Sequence, residues 1–477
     1  MKRRDFLLAA TAATAAAFAG PAWAGRPRRK PAASVAQLFA GAGLGDASLG
    51  FAVIDLGSGE VLQADGAGLA LPPASTLKTV TALYALDRLG PQHRFTTRVL
   101  RDGDTLVLAG GGDPALDTDA LAVLAAETAQ AVGDWRPARF AVWGGALPQV
   151  EQIAPGQAAH LAYNPTVSGM ILNYNRVYLG WRCEADCTLD LQARGSAQSP
   201  RAWTISAGTK PGGAYGHSVA EGREHWQVPR AGLGRSGSRW LPVRRPEAYA
   251  GDVFQTLARA QGLALPAPEV APAAPAGVEI ARLDSAPLTV LLRGMLEHST
   301  NLTAEVVGLA ASGAATQGAS ARAMGEWLAG LGISGAVLAD HSGMSPQNRI
   351  TAAALAQLLA RPQARSALRP LLNTDPLREV LGEAAQGHGR NGAALVQAKT
   401  GTLNFVSCLA GYAAADGREV AFAALMADER RLAATSGQDW PEGALAWVRR
   451  AKLLQRDLVA ASLRDDVAPV APLPPEI

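Results

Sequence analysis

Apolar and polar positions along the chain fall into three stretches of different character. Residues 51–63 (FAVIDLGSGEVLQ) place apolar residues on both sides of Gly57-Ser58-Gly59, the pattern of a β-hairpin. Pro72-Pro73-Ala74-Ser75 then opens a helical stretch over residues 76–89, which Gly90-Pro91 stops. Leu77, Val80, Leu83, Tyr84, Leu86 and Leu89 make this helix apolar on most sides, so a central, buried position is expected. From about residue 94 to 281 short strand-like pieces alternate with turn residues, and helical periodicity is sparse. Gly110-Gly111-Gly112-Asp113-Pro114 reads as a tight turn; no Gly-Lys-Ser/Thr follows it, so it does not fit a phosphate loop. The Pro/Ala tract 265–277 reads as a linker.

Helical periodicity returns after Asp284-Ser285, with Pro287 near the first turn, and runs to His298. Further helices are expected over 302–312, over 319–331, and from a Thr351 cap to residue 359. Residues 395–398 are strand-like, and 405–414 and 418–427 flank Asp416-Gly417, a strong hairpin turn. A long C-terminal helix is expected over 440–463. The two terminal hairpins can share one antiparallel sheet with helices on its faces, interrupted by the middle stretch. The expected class is α/β in the α+β sense.

The first 24 residues change the picture of where the chain works. A basic start, an apolar run from Phe6 and Ala22-Trp23-Ala24 form a cleavable export signal, too short and Ala-rich for a membrane span. Arg3-Arg4-Asp5-Phe6-Leu7 also resembles a twin-arginine signal; a general secretory signal is the alternative. Residues 25–30 (GRPRRK) are expected to form a flexible basic tail, and no transmembrane span is expected after cleavage. In an oxidising compartment Cys183 and Cys187 could bridge a tight turn, whereas Cys408 sits in an apolar run and reads as a buried small hydrophobe. No further Cys or His stands near enough for a zinc site. The 477 residues carry a net charge of +3 and no aromatic-basic stripe, which disfavours nucleic-acid binding.

Of 44 basic residues only Lys2, Lys30, Lys78, Lys210, Lys399 and Lys452 are lysines. Arginine cannot give up its proton, whereas a buried lysine can act as a base, so a surviving lysine can mark a place where arginine fails. Ser75-Thr76-Leu77-Lys78 is the one Ser-x-x-Lys in the chain. At helical spacing Ser75 and Lys78 share a face one turn apart. The serine stands at a helix start, where free N–H groups favour developing negative charge. A serine hydroxyl attacks only if a neighbour takes its proton, and a lysine with a depressed pKa can do so. Ser299-Thr300-Asn301 lies between two helices; its hydroxyl could relay a proton and its amide hold a substrate carbonyl. Lys399-Thr400-Gly401-Thr402 ends an expected strand; the glycine lets a substrate backbone approach, and the lysine and two hydroxyls suit a carboxylate. Each element alone has a plain structural reading: a capped helix, an interhelix loop, a strand end.

Ser-x-x-Lys, Ser-x-Asn and Lys-Thr-Gly in that order resemble the signature shared by class A β-lactamases and penicillin-binding proteins. Over nearly the whole chain after the signal, the sequence resembles the class C low-molecular-mass penicillin-binding proteins, the D-alanyl-D-alanine carboxypeptidases/endopeptidases. Pro73-Ala74-Ser75 through Lys78, then Leu89-Gly90-Pro91 with Arg94-Phe95, match the family's first block. The glycine turn at 110–114 looks like the family's recurring turn. Residues 295–302 (MLEHSTNL) with Ala304-Glu305 match the second block. Asp340-His341-Ser342-Gly343-Met344-Ser345 resembles an Asp-Gly-Ser-Gly-Leu-Ser turn in which His341 replaces a glycine, leaving the turn geometry open.

The long stretch between Lys78 and Ser299 has no place in a compact β-lactamase. The resemblance implies a catalytic domain (25–91 and 284–477) carrying two nested, β-rich inserted domains, one over 92–117 and 201–283 and one over 118–200. It implies that Ser75 attacks the penultimate D-Ala carbonyl of a peptidoglycan stem peptide while Lys78 takes its proton. Backbone N–H groups of Ser75 and Thr402 would form the oxyanion hole, and Ser299 would protonate the leaving amine. Asn301 would hold the substrate amide; Lys399, Thr400, Gly401 and Thr402 would receive the terminal carboxylate. It implies no cofactor or metal, β-lactams as covalent inhibitors, and a periplasmic site of action. A β-lactamase or esterase is the enzymatic alternative, though no convincing Glu-x-x-Leu-Asn loop is present. A non-catalytic peptidoglycan-binding protein is another, disfavoured by the intact Ser75, Lys78, Ser299, Asn301 and Lys399.

Overall fold

The computed structural model describes residues 33–378, 395–464 and 470. The expected signal (1–24) and basic tail (25–30) lie outside the described residues. At the centre is a six-stranded antiparallel sheet in the order Asn373–Thr374, Leu395–Leu403, Val406–Ala415, Arg418–Ala427, Ser48–Asp55, Val61–Asp65. The two hairpins from opposite ends of the sequence thus meet in one sheet, through the Ser48–Asp55 and Arg418–Ala427 pair. Asp416 and Gly417 both take the left-handed conformation that the tight turn requires.

Both faces of this sheet are covered, which is why its inner strands read as continuous apolar runs. On Val406–Ala415, Cys408, Ala410 and Tyr412 join the core beneath the helices Leu77–Leu89, Asn301–Ser312 and Ala352–Ala360. Leu409 and Ala413 face the other way, toward the C-terminal helix Ala444–Ser462. Trp447 of that helix is fully buried, donates its indole N–H to Leu44 O at 3.0 Å, and meets Phe405 edge-on. Trp447→Ala is expected to lower unfolding free energy by about 3–5 kcal/mol, because it leaves both a cavity and an orphaned carbonyl. Urea unfolding checks this, and a loss within error of zero would mean that the helix contributes nothing to folding.

Residues between the helix Leu77–Leu89 and Ser299 form a second core around Phe140, Trp226, Tyr249 and Phe254. Its five-stranded sheet runs Pro268–Val270, Arg139–Trp143, Thr105–Ala109, Thr96–Asp102, Val278–Asp284. Two three-stranded sheets accompany it. Arg139–Trp143, from the stretch 118–200, pairs on both sides with strands from outside that stretch.

Two sequence expectations fail here. Helical periodicity in this region is not sparse: Thr118–Val132 and Pro246–Ala260 are full helices packed on each other. The first buries Thr118, Leu121, Leu124, Ala125, Thr128 and Val132, a stripe half made of small or polar residues and hence faint to hydropathy. Its Asp117 cap, accepting from Ala120 N at 2.8 Å, was the overlooked signal. Nor is 265–277 a linker, since Pro268–Val270 is an edge strand paired in parallel with Arg139–Trp143. Its proline is the first strand residue, where no ladder donor is lost.

Cys183 and Cys187 are disulfide-bonded across the turn joining Arg176–Cys183 to Cys187–Gln192. Among the described residues, no helix is long and apolar enough to cross a membrane.

Candidate active site

Ser75 lies in a short 3-10 turn, Ala74–Thr76, that runs directly into the helix Leu77–Leu89. Ala74 holds φ +46°, a left-handed conformation that costs an alanine energy and is maintained by its surroundings. Two glycines press against it. A Cβ on Gly343 would fall 1.8 Å from Ala74 O, and one on Gly401 would fall 2.8 Å from Pro73 O and 3.0 Å from Ser75 N. Gly401 is therefore the residue that lets the strand Leu395–Leu403 lie along the Ser75 backbone.

One turn after Ser75, Lys78 is completely buried. Its Nζ bonds to Ser75 Oγ at 2.9 Å, to Asn301 Oδ1 at 2.8 Å and to Ser342 O at 2.7 Å. Three partners match the three hydrogens of an ammonium. A neutral amine has two donors and a lone pair. Asn301 Oδ1 and Ser342 O can only accept, so the lone pair must turn toward the Ser75 hydroxyl. Burial, with the nearby charge of Lys399, pushes the Lys78 pKa down to about 7, against an opposite pull from Asp340 and Glu305. A group that titrates near neutrality and whose free lone pair faces a hydroxyl can accept that hydroxyl's proton.

Asn301 begins its helix and reaches both ways: Oδ1 accepts from Lys78, while Nδ2 donates to Tyr163 O at 3.0 Å. Tyr163 belongs to the inserted region, so a loop far off in sequence fixes the orientation of this amide. Ser299 occupies a left-handed position (φ +56°) at the end of Leu288–His298, partly exposed, and its hydroxyl has no partner among the described residues. Lys399 is nearly buried, donates to Thr400 O at 2.9 Å, and is pushed down to about 8 by burial and by Lys452. Thr400 and Thr402 are partly exposed. Leu395–Leu403 pairs along its whole length with Val406–Ala415, but on its other side only with Asn373–Thr374, at Gln397 and Ala398. From Lys399 to Leu403 its outer edge pairs with no strand among the described residues, beside Ser75.

The structure therefore brings together Ser75, Lys78, Asn301 and Gly401 by direct contact, with Lys399 near enough to act on the charge of Lys78. Sequence reasoning found the turn at 340–345 but gave it no role; its contribution to the site is a main-chain carbonyl. His341 fits there without a glycine. Its ring is fully buried over Gly308, where a Cβ would come within 2.2 Å, and Nε2 lies 2.7 Å from Ser320 Oγ. The absent Gly308 side chain makes room for the extra ring. Cys408, beneath the sheet, is buried with its thiol pushed up to about 12, so it is inert.

A family model described as the D-Ala-D-Ala carboxypeptidase 3 (S13) family matches residues 32–446. The chain is 30% identical over 460 residues to a D-alanyl-D-alanine carboxypeptidase of Actinomadura sp. (strain R39), covering 83% of each. It is 28% identical over 383 residues to carboxypeptidase DacB of Mycolicibacterium smegmatis, covering 75% of this chain and 72% of that protein. Its fold is similar to penicillin binding protein 4 (dacB) from Haemophilus influenzae, with a TM-score of 0.71 at 19% identity, over 90% of this chain and 99% of that one. The chain belongs to the D-Ala-D-Ala carboxypeptidase 3 (S13) family and is a serine peptidase of the low-molecular-mass penicillin-binding type.

Proposed function

We propose that the chain cleaves the terminal D-Ala-D-Ala bond, or the D-Ala cross-link, of peptidoglycan stem peptides through an acyl-enzyme on Ser75. The contact that carries this reading is the fully buried Lys78 Nζ to the partly exposed Ser75 Oγ at 2.9 Å. Lys78, as the amine, takes the Ser75 proton while Oγ attacks the penultimate D-Ala carbonyl. The substrate strand lies along the edge at 399–403 that pairs with no strand among the described residues. The N–H groups of Ser75 and Thr402 receive the oxyanion, a contribution of about 10²–10³ in rate per donor. Ser299, whose hydroxyl has no partner among the described residues, delivers a proton to the departing amine. Lys399 with Thr400, Gly401 and Thr402 receives the terminal carboxylate, and Asn301 positions the substrate amide. Water then cleaves the ester and restores Ser75.

The catalytic unit we assign is 25–91 with 284–477; 92–117 with 201–283, and 118–200 within it, are the inserted parts. The first 24 residues direct export, so the working compartment is the periplasm. β-Lactams, whose strained amide meets the same nucleophile, acylate Ser75. Incubation with benzylpenicillin followed by peptide mass mapping is expected to place a single adduct on the peptide containing Ser75. An adduct elsewhere, or none, refutes the nucleophile. Digestion of purified cross-linked and uncross-linked muropeptides, with products read by mass, then separates endopeptidase from carboxypeptidase action.

A further inference from the structure

The small sheet built on Arg176–Cys183 has one buried face and one open face. Ser236–Pro242 and Cys187–Gln192 flank that strand on either side. Val177, Leu179, Leu191 and Leu241 point into the second core. Side chains directly opposite each other in a sheet share a face, so the register sets what lies on the open side. Tyr178 stands opposite Trp240 on one neighbour and Gln192 on the other, and Gln192 bridges in turn to Arg201. Strand alternation puts Arg176 and Arg182 on the same face as Tyr178. The platform measures about 14 Å across the strands and about 20 Å along them.

Arginine and aromatic side chains interleave over it. The Arg176 guanidinium lies 4.9 Å from the Tyr174 ring centre and 5.3 Å from that of Trp240. Trp240 meets Tyr178 edge-on at 5.4 Å. Arg194 lies 4.3 Å over Tyr178, and Arg201 lies 4.5 Å over Trp203, which is 53% exposed. Tyr174 packs against the core beneath the central sheet, so the ladder starts where the second core meets the first. The charge of this face is not neutralised. Among the described residues none of Arg176, Arg182, Arg194 and Arg201 has an ion-pair partner, and Arg176 Nε is buried without a hydrogen-bond partner. By contrast Arg98, Arg139 and Arg282, on the five-stranded sheet, each hold a carboxylate, from Glu279, Glu269 and Asp284. The positions that the register places on the open face include a single carboxylate, Asp190, which accepts from Gln192 Nε2 at 2.6 Å.

We propose that this face is a second binding surface for peptidoglycan, separate from the Ser75 site: its guanidiniums take the carboxylates of stem peptides, and Trp203 stacks on a sugar ring of the glycan. This rests on the reading of the chain as a peptidoglycan peptidase. A field of unpaired arginines selects an anion, and their planar forks match carboxylates. The exposed indole offers a flat apolar surface to a pyranose. A platform of this size spans more than one small molecule, whereas a repeating polymer presents carboxylates and sugars along its whole length. The Cys183–Cys187 bond closes the hairpin next to Arg182, so less freedom is lost there on binding. A strand held on this face keeps its other stem peptides at high local concentration for the Ser75 site.

The test uses the full chain already acylated by benzylpenicillin, so that the Ser75 site is closed and co-sedimentation with insoluble peptidoglycan sacculi reads the second surface. The sacculi are first freed of phosphodiester polymers. Acylated wild type should pellet with them, and less so as salt is raised. Arg194→Gln combined with Arg201→Gln should lower affinity about tenfold, and Trp203→Ala about threefold. All three side chains are exposed. Asp190→Asn removes the opposing charge and should raise affinity. Sacculi whose carboxylates are capped as amides should bind wild type no better than native sacculi bind the double variant. A purely structural role for the ring–guanidinium pairs would lower the melting temperature of the double variant and leave its sedimentation that of wild type, which overturns this inference alone. Undiminished binding to capped sacculi overturns it too, as does tighter binding to a polyphosphate resin, which assigns the face to a phosphate polymer. If the double variant does not fold, an Asp190→Asn chain that binds no more tightly than wild type overturns it. Wild type that takes no benzylpenicillin on Ser75, seen by mass before any sedimentation, overturns the underlying reading instead.

Discussion

Lys78→Arg is expected to lower the rate of penicillin acylation by about 10²–10⁴-fold, the range spanned by a positioned general base. Arginine would keep a positive charge and several donors for Asn301 Oδ1 and Ser342 O, so the loss isolates one property. The lysine can become neutral and the guanidinium cannot. Burial is what confers that property here: with no exposed surface and Lys399 nearby, the ammonium form is disfavoured to the point of titrating near neutrality. Lys78→Met, which removes base and charge together, should lose at least as much. Stopped-flow acylation by a chromogenic cephalosporin measures both. An arginine variant within tenfold of wild type would remove Lys78 from the role of proton acceptor, whatever the fate of the methionine variant.

That much of the site could be read from the sequence because it depends on side chains at short fixed spacings. Ser75 and Lys78 are one helical turn apart, and Ser299 and Asn301 straddle a helix start. Each motif carries its own geometry, and only their assembly needed the fold. The scarcity of lysine helped, since both motif lysines prove buried and shifted toward neutrality. The central sheet was legible for a related reason: Gly57-Ser58-Gly59 and Asp416-Gly417 are turn signals whose chemistry is local. What stayed hidden acts through the main chain or over long range. Ser342 contributes a carbonyl, which every residue has, so no residue type could reveal it. The Tyr163 carbonyl that orients Asn301 comes from 138 positions away in sequence. The helix Thr118–Val132 was missed because local periodicity is judged on apolar strength, and tertiary packing can bury a stripe that includes Ala and Thr; Pro246–Ala260 buries Tyr249, Val253, Phe254 and Leu257 at helical spacing, a signal the sequence did carry. His341, flagged as a departure from the family pattern, is accommodated by Gly308 on a different helix. A pair of that kind becomes visible only when both residues are seen in contact.

The second large effect expected is from Gly343→Ala, a change of one methyl group. Gly343 has φ +84°, which already disfavours any side chain. Beyond that, the new Cβ would lie 1.8 Å from Ala74 O and 2.5 Å from Ala74 C. Both are backbone atoms of the residue before the nucleophile, so no side-chain rotation relieves the clash. Either the 340–345 turn withdraws, taking the Ser342 carbonyl from Lys78, or the Ala74–Thr76 turn moves and carries Ser75 off its line of attack. A displacement of about 1 Å at a reacting group costs about 10²-fold in rate. Acylation should fall by at least that much, and stability by about 3–5 kcal/mol from strain and the lost buried bonds. Gly308→Ala makes the informative contrast. Its Cβ would meet the His341 ring, so adding His341→Gly should relieve that clash, whereas no side-chain truncation can relieve Gly343→Ala. Measuring acylation and urea unfolding across the three variants decides the matter. A Gly343→Ala enzyme with the acylation rate of wild type would mean that turn and nucleophile are not held against each other, and the geometry assigned to the base would fall with them.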